Sequence, residues 1–252
     1  MKITFLGTGT STGVPFIGCT CDVCTSSDPH DKRLRSSLLL ETTTTRIIID
    51  CGPDFRQQML PRKHRSIDAV LITHEHYDHV GGIDDLRPYS SFGDVQIYTL
   101  QRVAQQLKET LPYCFVAQKY PGVPQLQLNY ILPHDNIQVG DMHITPIEVM
   151  HGKLPILGFR INNMAYITDM KAMSDSELEY LKGIDLLIVN GLRHYEHYSH
   201  QTIEEACLFA QKVNAPRTYL IHMCHHAGLH EKENKKLPKN IELAYDNLEI
   251  EC

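Results

Sequence analysis

Residues 73–79 read THEHYDH, and five of these seven side chains can bind a metal or move a proton. They follow IDAVLI (67–72), an apolar run that reads as a buried strand. Taken as a helix, the stretch begins like the zinc motif H-E-x-x-H, but position 78 is aspartate and the motif fails. Taken as a strand end and loop, its offsets make sense. His74 and His76, two apart, project to the same side of an extended chain. Asp78 and His79 come after the chain turns, where Gly81-Gly82 is expected to allow a tight bend. One short segment then serves two adjacent metals, and imidazole with carboxylate suits zinc, manganese or iron.

Each metal needs more ligands than this segment offers. His151 follows ITPIEVM, Asp169 follows MAYIT and His222 follows RTYLI. Each is a polar residue just past an apolar strand, expected on one rim of a sandwich. A lone histidine in such a place is ordinarily a surface or satisfied core residue. Three such residues together with H-x-H-x-D-H after a buried strand form a specific set.

A second cluster, CTCDVC (19–24), puts Cys19, Cys21 and Cys24 within six residues. In a reducing compartment these read as thiolate ligands of a structural zinc that lacks a fourth ligand. HMCHH (222–226) offers Cys224, His225 and His226 for that place. Cys51, Cys114 and Cys207 stand singly and read as packing residues.

The 252 residues, 42% hydrophobic and 21% charged, have an ordinary globular composition. Net charge is −6, which argues against a broad basic face for nucleic acid or membrane. No apolar run approaches a membrane span, and the N-terminal apolar stretch is too short for a signal-peptide core. The cysteines are therefore expected to be reduced thiols of a cytoplasmic protein. No linker interrupts the chain, so residues 1–252 are expected to form one domain carrying a zinc-binding loop at 19–24. Many short β-rich runs with helices between them suggest sheets covered by helices. PDFRQQMLPR (53–62) has proline at an expected first helical position, and LQRVAQQLKETL (100–111) has helical spacing. Ser174 with Glu177 and Thr202 with Glu205 read as capping boxes. LGTGTSTG (6–13) lacks the last glycine of a dinucleotide fingerprint and reads as a tight supporting turn.

THEHYDHVGG followed by His151, Asp169 and His222 resembles the metallo-β-lactamase superfamily of binuclear metallohydrolases. The resemblance covers nearly the whole chain and implies an α/β four-layer αββα sandwich with the metals at one edge of two sheets. It implies that His74, His76 and His151 hold the first metal, that Asp78, His79 and His222 hold the second, and that Asp169 bridges them. True β-lactamases have a cysteine among these ligands, and the redox-active diiron branch has glutamate where this chain has His76. A hydrolase follows, using two catalytic divalent metals, zinc or manganese. A hydroxide shared by the pair would be the nucleophile.

CTCDVC together with HMCHH resembles a PhnP-like phosphodiesterase branch, which acts on a cyclic ribosyl phosphate. A related branch concerned with pyrroloquinoline quinone synthesis also has an early cysteine cluster, so the cluster alone does not fix the substrate. The phosphodiesterase branch pairs an early C-x-C-x-x-C cluster with a histidine three residues after the second-metal histidine, which falls on His225. It also carries a histidine facing the metals just before a helix, which falls on His200 in RHYEHYSH (193–200). The resemblance makes His200, with Asp78, the catalytic side chains. His200 would stabilise phosphate or protonate the leaving oxygen, as an imidazole with a pKa near the working pH can. His194 and His197 read as members of a polar loop. Arg33 and Arg35 could reach a phosphate or simply face solvent, and Tyr77 could pack beside the site. The expected partner is a small phosphodiester, with nucleic acid disfavoured and a homodimer kept open. Rival readings are a ribonuclease Z-like endonuclease, a thioester hydrolase of the same superfamily, and a catalytically silent metal-binding scaffold.

Overall fold

The computed structural model describes residues 1–118 and 121–252. Among the described residues, fourteen strands form two sheets. The first contains β1 (Lys2–Gly7), β2 (Ser37–Glu41), β3 (Arg46–Ile49), β4 (Ala69–Leu71), β5 (Val95–Thr99) and β6 (Leu126–Tyr130), with β14 (Glu249–Glu251) beside β1. The second runs from β7 (Ile137–Val139) through β8 (Met142–His151), β9 (Leu154–Ile161), β10 (Met164–Ile167), β11 (Leu186–Asn190) and β12 (Arg217–Ile221) to β13 (Ile241–Leu243).

The central strands are apolar on both faces, and the two-residue period sends alternate side chains to different layers. In β2 and β3, Leu38, Leu40, Ile47 and Ile49 face the other sheet and meet Leu157, Phe159, Tyr166 and Ile188. Leu39 and Ile48 point outward to Phe55, Val103 and Leu107 of the covering helices. In the second sheet Ala165, Ile167, Leu187 and Val189 likewise turn outward, to Ile203, Ala206 and Ala210 of helix Ile203–Val213. The result is the four-layer αββα order that the motif resemblance implies.

Strand direction places the site. β3 and β4 are parallel, as are β10, β11 and β12. β8 and β10 are each antiparallel to β9 and so run the same way. The C-terminal ends of β4, β8, β10 and β12 therefore deliver THEHYDH, His151, Asp169 and His222 to one edge.

Thr202 accepts from the Glu205 amide and Glu205 returns the bond, so the second capping box forms in full. Ser174 also accepts from the Glu177 amide. The helix in PDFRQQMLPR starts later than expected, at Phe55 with Asp54 as its cap, leaving Pro53 in the preceding turn. Among the described residues no helix is long and apolar enough to cross a membrane.

Candidate metal centre

His74 lies three residues past β4 and is wholly buried. The chain then turns into the short helix Tyr77–Val80, with His76 at its N-cap and Asp78 and His79 in it. Gly81 and Gly82 form the expected turn after this helix, but with negative φ at both, so backbone freedom is not what these glycines supply there. They supply space. A Cβ on Gly82 would come within 2.1 Å of the Gly52 carbonyl oxygen, and one on Gly52 within 2.0 Å of the Asp78 carbonyl oxygen. The loop after β3 can thus press directly under the histidine segment.

Two donor sets result. His74, His76 and His151 offer one, and Asp78, His79, Asp169 and His222 the other; within each set the ligating atoms lie within 4.8 Å of one another. Asp169 links the sets. It also groups with His151 and His200, while Oδ2 lies 3.2 Å from His79 Nε2 and Oδ1 lies 3.2 Å from His222 Nε2. All seven residues expected at this edge are brought together, and His200 joins them with Nδ1 3.5 Å from Asp169 Oδ1.

Outer hydrogen bonds aim the rings. His79 Nδ1 donates to Asp50 Oδ2 at 2.7 Å, His151 Nδ1 to the Ser199 carbonyl at 2.9 Å, and His74 Nδ1 pairs with Thr73 Oγ1 at 2.9 Å. Each bond leaves Nε2 facing the centre, the usual arrangement for ligating histidines. Asp169 and His222 hold left-handed backbone at φ 57° and 58°. Such conformations cost about 1–3 kcal/mol each and persist where surrounding structure imposes them.

The donor chemistry fits divalent ions. His79 Nε2 is buried within 3.1 Å of Asp78 Oδ2 and 3.2 Å of Asp169 Oδ2, yet makes no hydrogen bond in that position. One imidazole nitrogen and two carboxylate oxygens converging in this way suit a shared cation. Burial opposes charge on His79, but Asp78, Asp50 and Asp169 together hold its pKa well above the usual value. Burial would likewise raise Asp169, and His222 and His79 reverse this and hold it well below the carboxylate range. His200 differs: burial pushes it down to about 3 against the pull of Asp169.

The second cluster also closes. Cys19, Cys21, Cys24 and His225 put their ligating atoms within 4.8 Å, with His225 Nδ1 3.3 Å from Cys19 Sγ and 3.5 Å from Cys21 Sγ. Three thiols and one imidazole match a closed zinc site. The backbone amide of Cys24, then the His225 ring, pull the Cys21 thiol down to about 6, so it readily supplies a thiolate. Cys224 and His226 stay outside this cluster and line the neighbouring pocket.

Several side chains fall elsewhere than the sequence left open. Arg33 is buried, its Nη1 donating to Thr8 Oγ1 and the Ala244 carbonyl and its Nη2 to His230 Nδ1. Arg35 pairs with Asp54 at 3.0 Å and donates to the Ser11 carbonyl. Tyr77 is 70% exposed and lies over Gly81 instead of packing beside the metals' edge. His194 is held by Glu204 and Glu233, as suits a loop residue, but His197 lines the pocket. Asp50 was missed although it obeys the same rule as the others, a polar residue directly after an apolar strand.

The pocket over the centre has a volume of about 430 Å³. It runs from His76, Asp78, His151 and His200 past the Thr10–Thr12 turn to Phe16 and His225.

Comparison with known proteins agrees with this geometry. Residues 45–223 match the Beta-lactamase superfamily domain. A solved structure described as a new diphosphatase from the PhnP family superposes with a TM-score of 0.92 at 38% identity, covering 99% of this chain and 96% of that one. Zn(2+)-bound PqqB from Methylobacterium extorquens has the same fold, with a TM-score of 0.81 at 18% identity over 100% of both chains. A Porphyromonas gingivalis protein named octanoyltransferase is 49% identical over 251 residues, 99% of this chain. This chain spans about half of that relative, 51% of its length, and the name describes the longer protein. The chain belongs to the beta-lactamase superfamily, with a metallo-β-lactamase fold similar to that of the PhnP-family diphosphatase.

Proposed function

We propose that the protein hydrolyses a small phosphodiester, using two divalent ions at the strand ends and a structural zinc in the cysteine loop. The observation that carries this reading is Asp169, whose two carboxylate oxygens face His79 and His222 while it also groups with His151 and His200. A carboxylate so placed can reach both ions and offset their mutual repulsion. In this reading His74, His76 and His151 hold one ion, Asp78, His79 and His222 hold the other, and Cys19, Cys21, Cys24 and His225 hold the zinc.

When bound, the pair supplies Lewis acidity, which makes water nucleophilic at neutral pH and offsets charge developing on the attacked group. The chain's own residues do the rest. Asp50, Thr73 and Ser199 fix the rings so that ligand geometry costs no reorganisation. Asp169 stays ionised, held by His222 and His79, so it would keep the two ions together and would be too weak a base to take the water's proton, which would pass to solvent. His200, enclosed by His151 and His222 with ring centroids 4.6 and 5.0 Å away, faces groups that bind cations. A neutral ring donating to a phosphate oxygen suits that place better than a second positive charge.

A second reading is hydrolysis of an acyl thioester, on which the Porphyromonas relative's name, given to a protein about twice this length, says only that an octanoyl group is transferred. The pocket wall is mainly imidazole, hydroxyl and guanidinium, with Phe16 and Leu192 among its apolar members. That suits phosphate and sugar better than a long acyl chain. The test is turnover by zinc- and manganese-loaded protein of cyclic nucleotides, cyclic sugar phosphates, RNA and octanoyl thioesters. Phosphodiester hydrolysis well above the other classes is expected, and thioester turnover without diester turnover overturns the reading.

A further inference from the structure

Phe16 is an exposed aromatic in an unusually fixed position. Its amide donates to Cys24 Sγ at 3.3 Å, and its carbonyl accepts from the Cys19 amide at 3.0 Å. Both backbone polar groups are thereby tied to the cysteine cluster, and a metal there would lock them further. The ring stacks on His225 at 5.4 Å with planes 13° apart, yet remains 42% exposed and lines the pocket that contains His76 and Asp78.

Further rings follow, tilted by 36° and 58° instead of stacked. His225 lies 4.0 Å from His226, His226 lies 5.7 Å from Tyr195, and the Arg193 guanidinium carbon sits 3.9 Å from the Tyr195 ring centre. Phe16, His225, His226 and Arg193 all line the pocket. Arg193 donates to the Tyr195 and Glu196 carbonyls, and among the described residues no carboxylate pairs with it. An apolar contact would need area from any side chain; a row of planar groups ending in an unpaired guanidinium suits a planar, electron-rich ring that carries phosphate.

We infer that this wall is a nucleobase subsite, so that the substrate class is a small nucleotide whose base stacks on Phe16 while its phosphate lies at the metal centre. The assignment of the phosphate's place rests on the phosphodiesterase reading; the stacking wall does not. It also gives the cysteine cluster a part in recognition. The cluster sits away from the reacting atoms but holds the platform still, so that no ordering cost is met when a base binds.

Stacking a base on an aromatic side chain is worth on the order of tenfold in affinity or more. The test is calorimetric binding of adenosine 5′-monophosphate and ribose 5-phosphate to metal-loaded protein, which compares the same phosphoribose with and without a base. Wild-type protein should bind the nucleotide about tenfold more tightly. Phe16→Leu, which keeps apolar bulk but removes the ring, should lose that preference while its ribose 5-phosphate affinity and metal content stay unchanged. If Phe16→Leu disturbs the cluster, Arg193→Met serves instead, because Arg193 lines the pocket and lies outside the cluster, and it should reduce the preference severalfold. Equal binding of the two ligands by wild-type protein, or a preference that survives both substitutions, overturns the proposal. An oligoadenylate binding much more tightly than the mononucleotide overturns the small-nucleotide assignment. A base preference in protein that cleaves no diester supports the subsite and removes the phosphodiesterase reading alone.

Discussion

Asp50 and His79 form a wholly buried pair, with His79 Nδ1 donating to Asp50 Oδ2 at 2.7 Å. Asp50 Oδ1 also accepts from the Thr73 amide at 2.9 Å, and Thr73 Oγ1 touches His74 Nδ1. One carboxylate therefore orients a histidine of each donor set. Partners of this kind are typically worth ~10- to 100-fold in metal affinity. Asp50→Asn keeps the size and loses the charge, so affinity at the catalytic centre should fall by about that range. A chelator-competition titration checks this, and unchanged affinity would mean the pair only fills space.

The cysteine cluster should bind its own metal. Structural zinc binding is coupled to folding, so Cys21→Ser should lose one metal per chain and melt at a lower temperature. The catalytic pair should remain loaded, because its donors come from the strand ends. Elemental analysis that finds full metal in the variant contradicts the cluster's assignment.

His200 separates two kinds of help. General acid catalysis is typically worth ~100- to 10,000-fold and matters most when the leaving group is poor. Burial and neighbouring ligand histidines favour a neutral ring that stabilises charge. His200→Ala should then slow an alkyl and a nitrophenyl diester by similar factors, with metal content unchanged. A much larger loss on the alkyl diester would restore the proton-donor role that the motif also allows.

His230 joins the cysteine loop to the C-terminal part of the chain. Its amide donates to Asp31 Oδ1 at 2.7 Å and its Nδ1 accepts from Arg33 Nη2 at 3.1 Å. Burial, then Arg33 and His30, push its pKa from 6.5 to about 4, against Asp28 and Asp31. The folded state thus binds this proton more weakly than the unfolded chain. The resulting stability is present above pH about 6.5 and is lost as pH falls toward about 4. Melting temperature should drop across that window by less in His230→Gln, whose side-chain carbonyl still accepts from Arg33. Identical pH profiles would show that other groups carry the effect.

The donor sets were legible because His151, Asp169 and His222 each follow an apolar strand and THEHYDH follows another, where burial without a partner is costly. Asp50 ends RIII in the same manner and escaped notice only because a resemblance by motif points to ligands, not to what aims them. Strands β6, β7 and β13 were not legible. LQLNY, IQV and IEL are short or half polar, and pairing with neighbouring strands makes them extended. Gly81-Gly82 suggested a bend, but only the fold reveals which backbone presses against those positions. Arginine is equally plausible in sequence as a phosphate ligand or a structural tie, and the burial of Arg33 against Ala244 comes from residues 211 apart.

If two ions at the strand ends carry out diester hydrolysis, metal-stripped protein should regain turnover of a cyclic phosphodiester when titrated with manganese after the cysteine site has been filled with zinc. Turnover should be negligible at the start, recover as manganese is added, and reach a plateau at two equivalents per chain. Full activity in the stripped protein, or two equivalents bound with no turnover of any phosphodiester, would contradict two-ion hydrolysis.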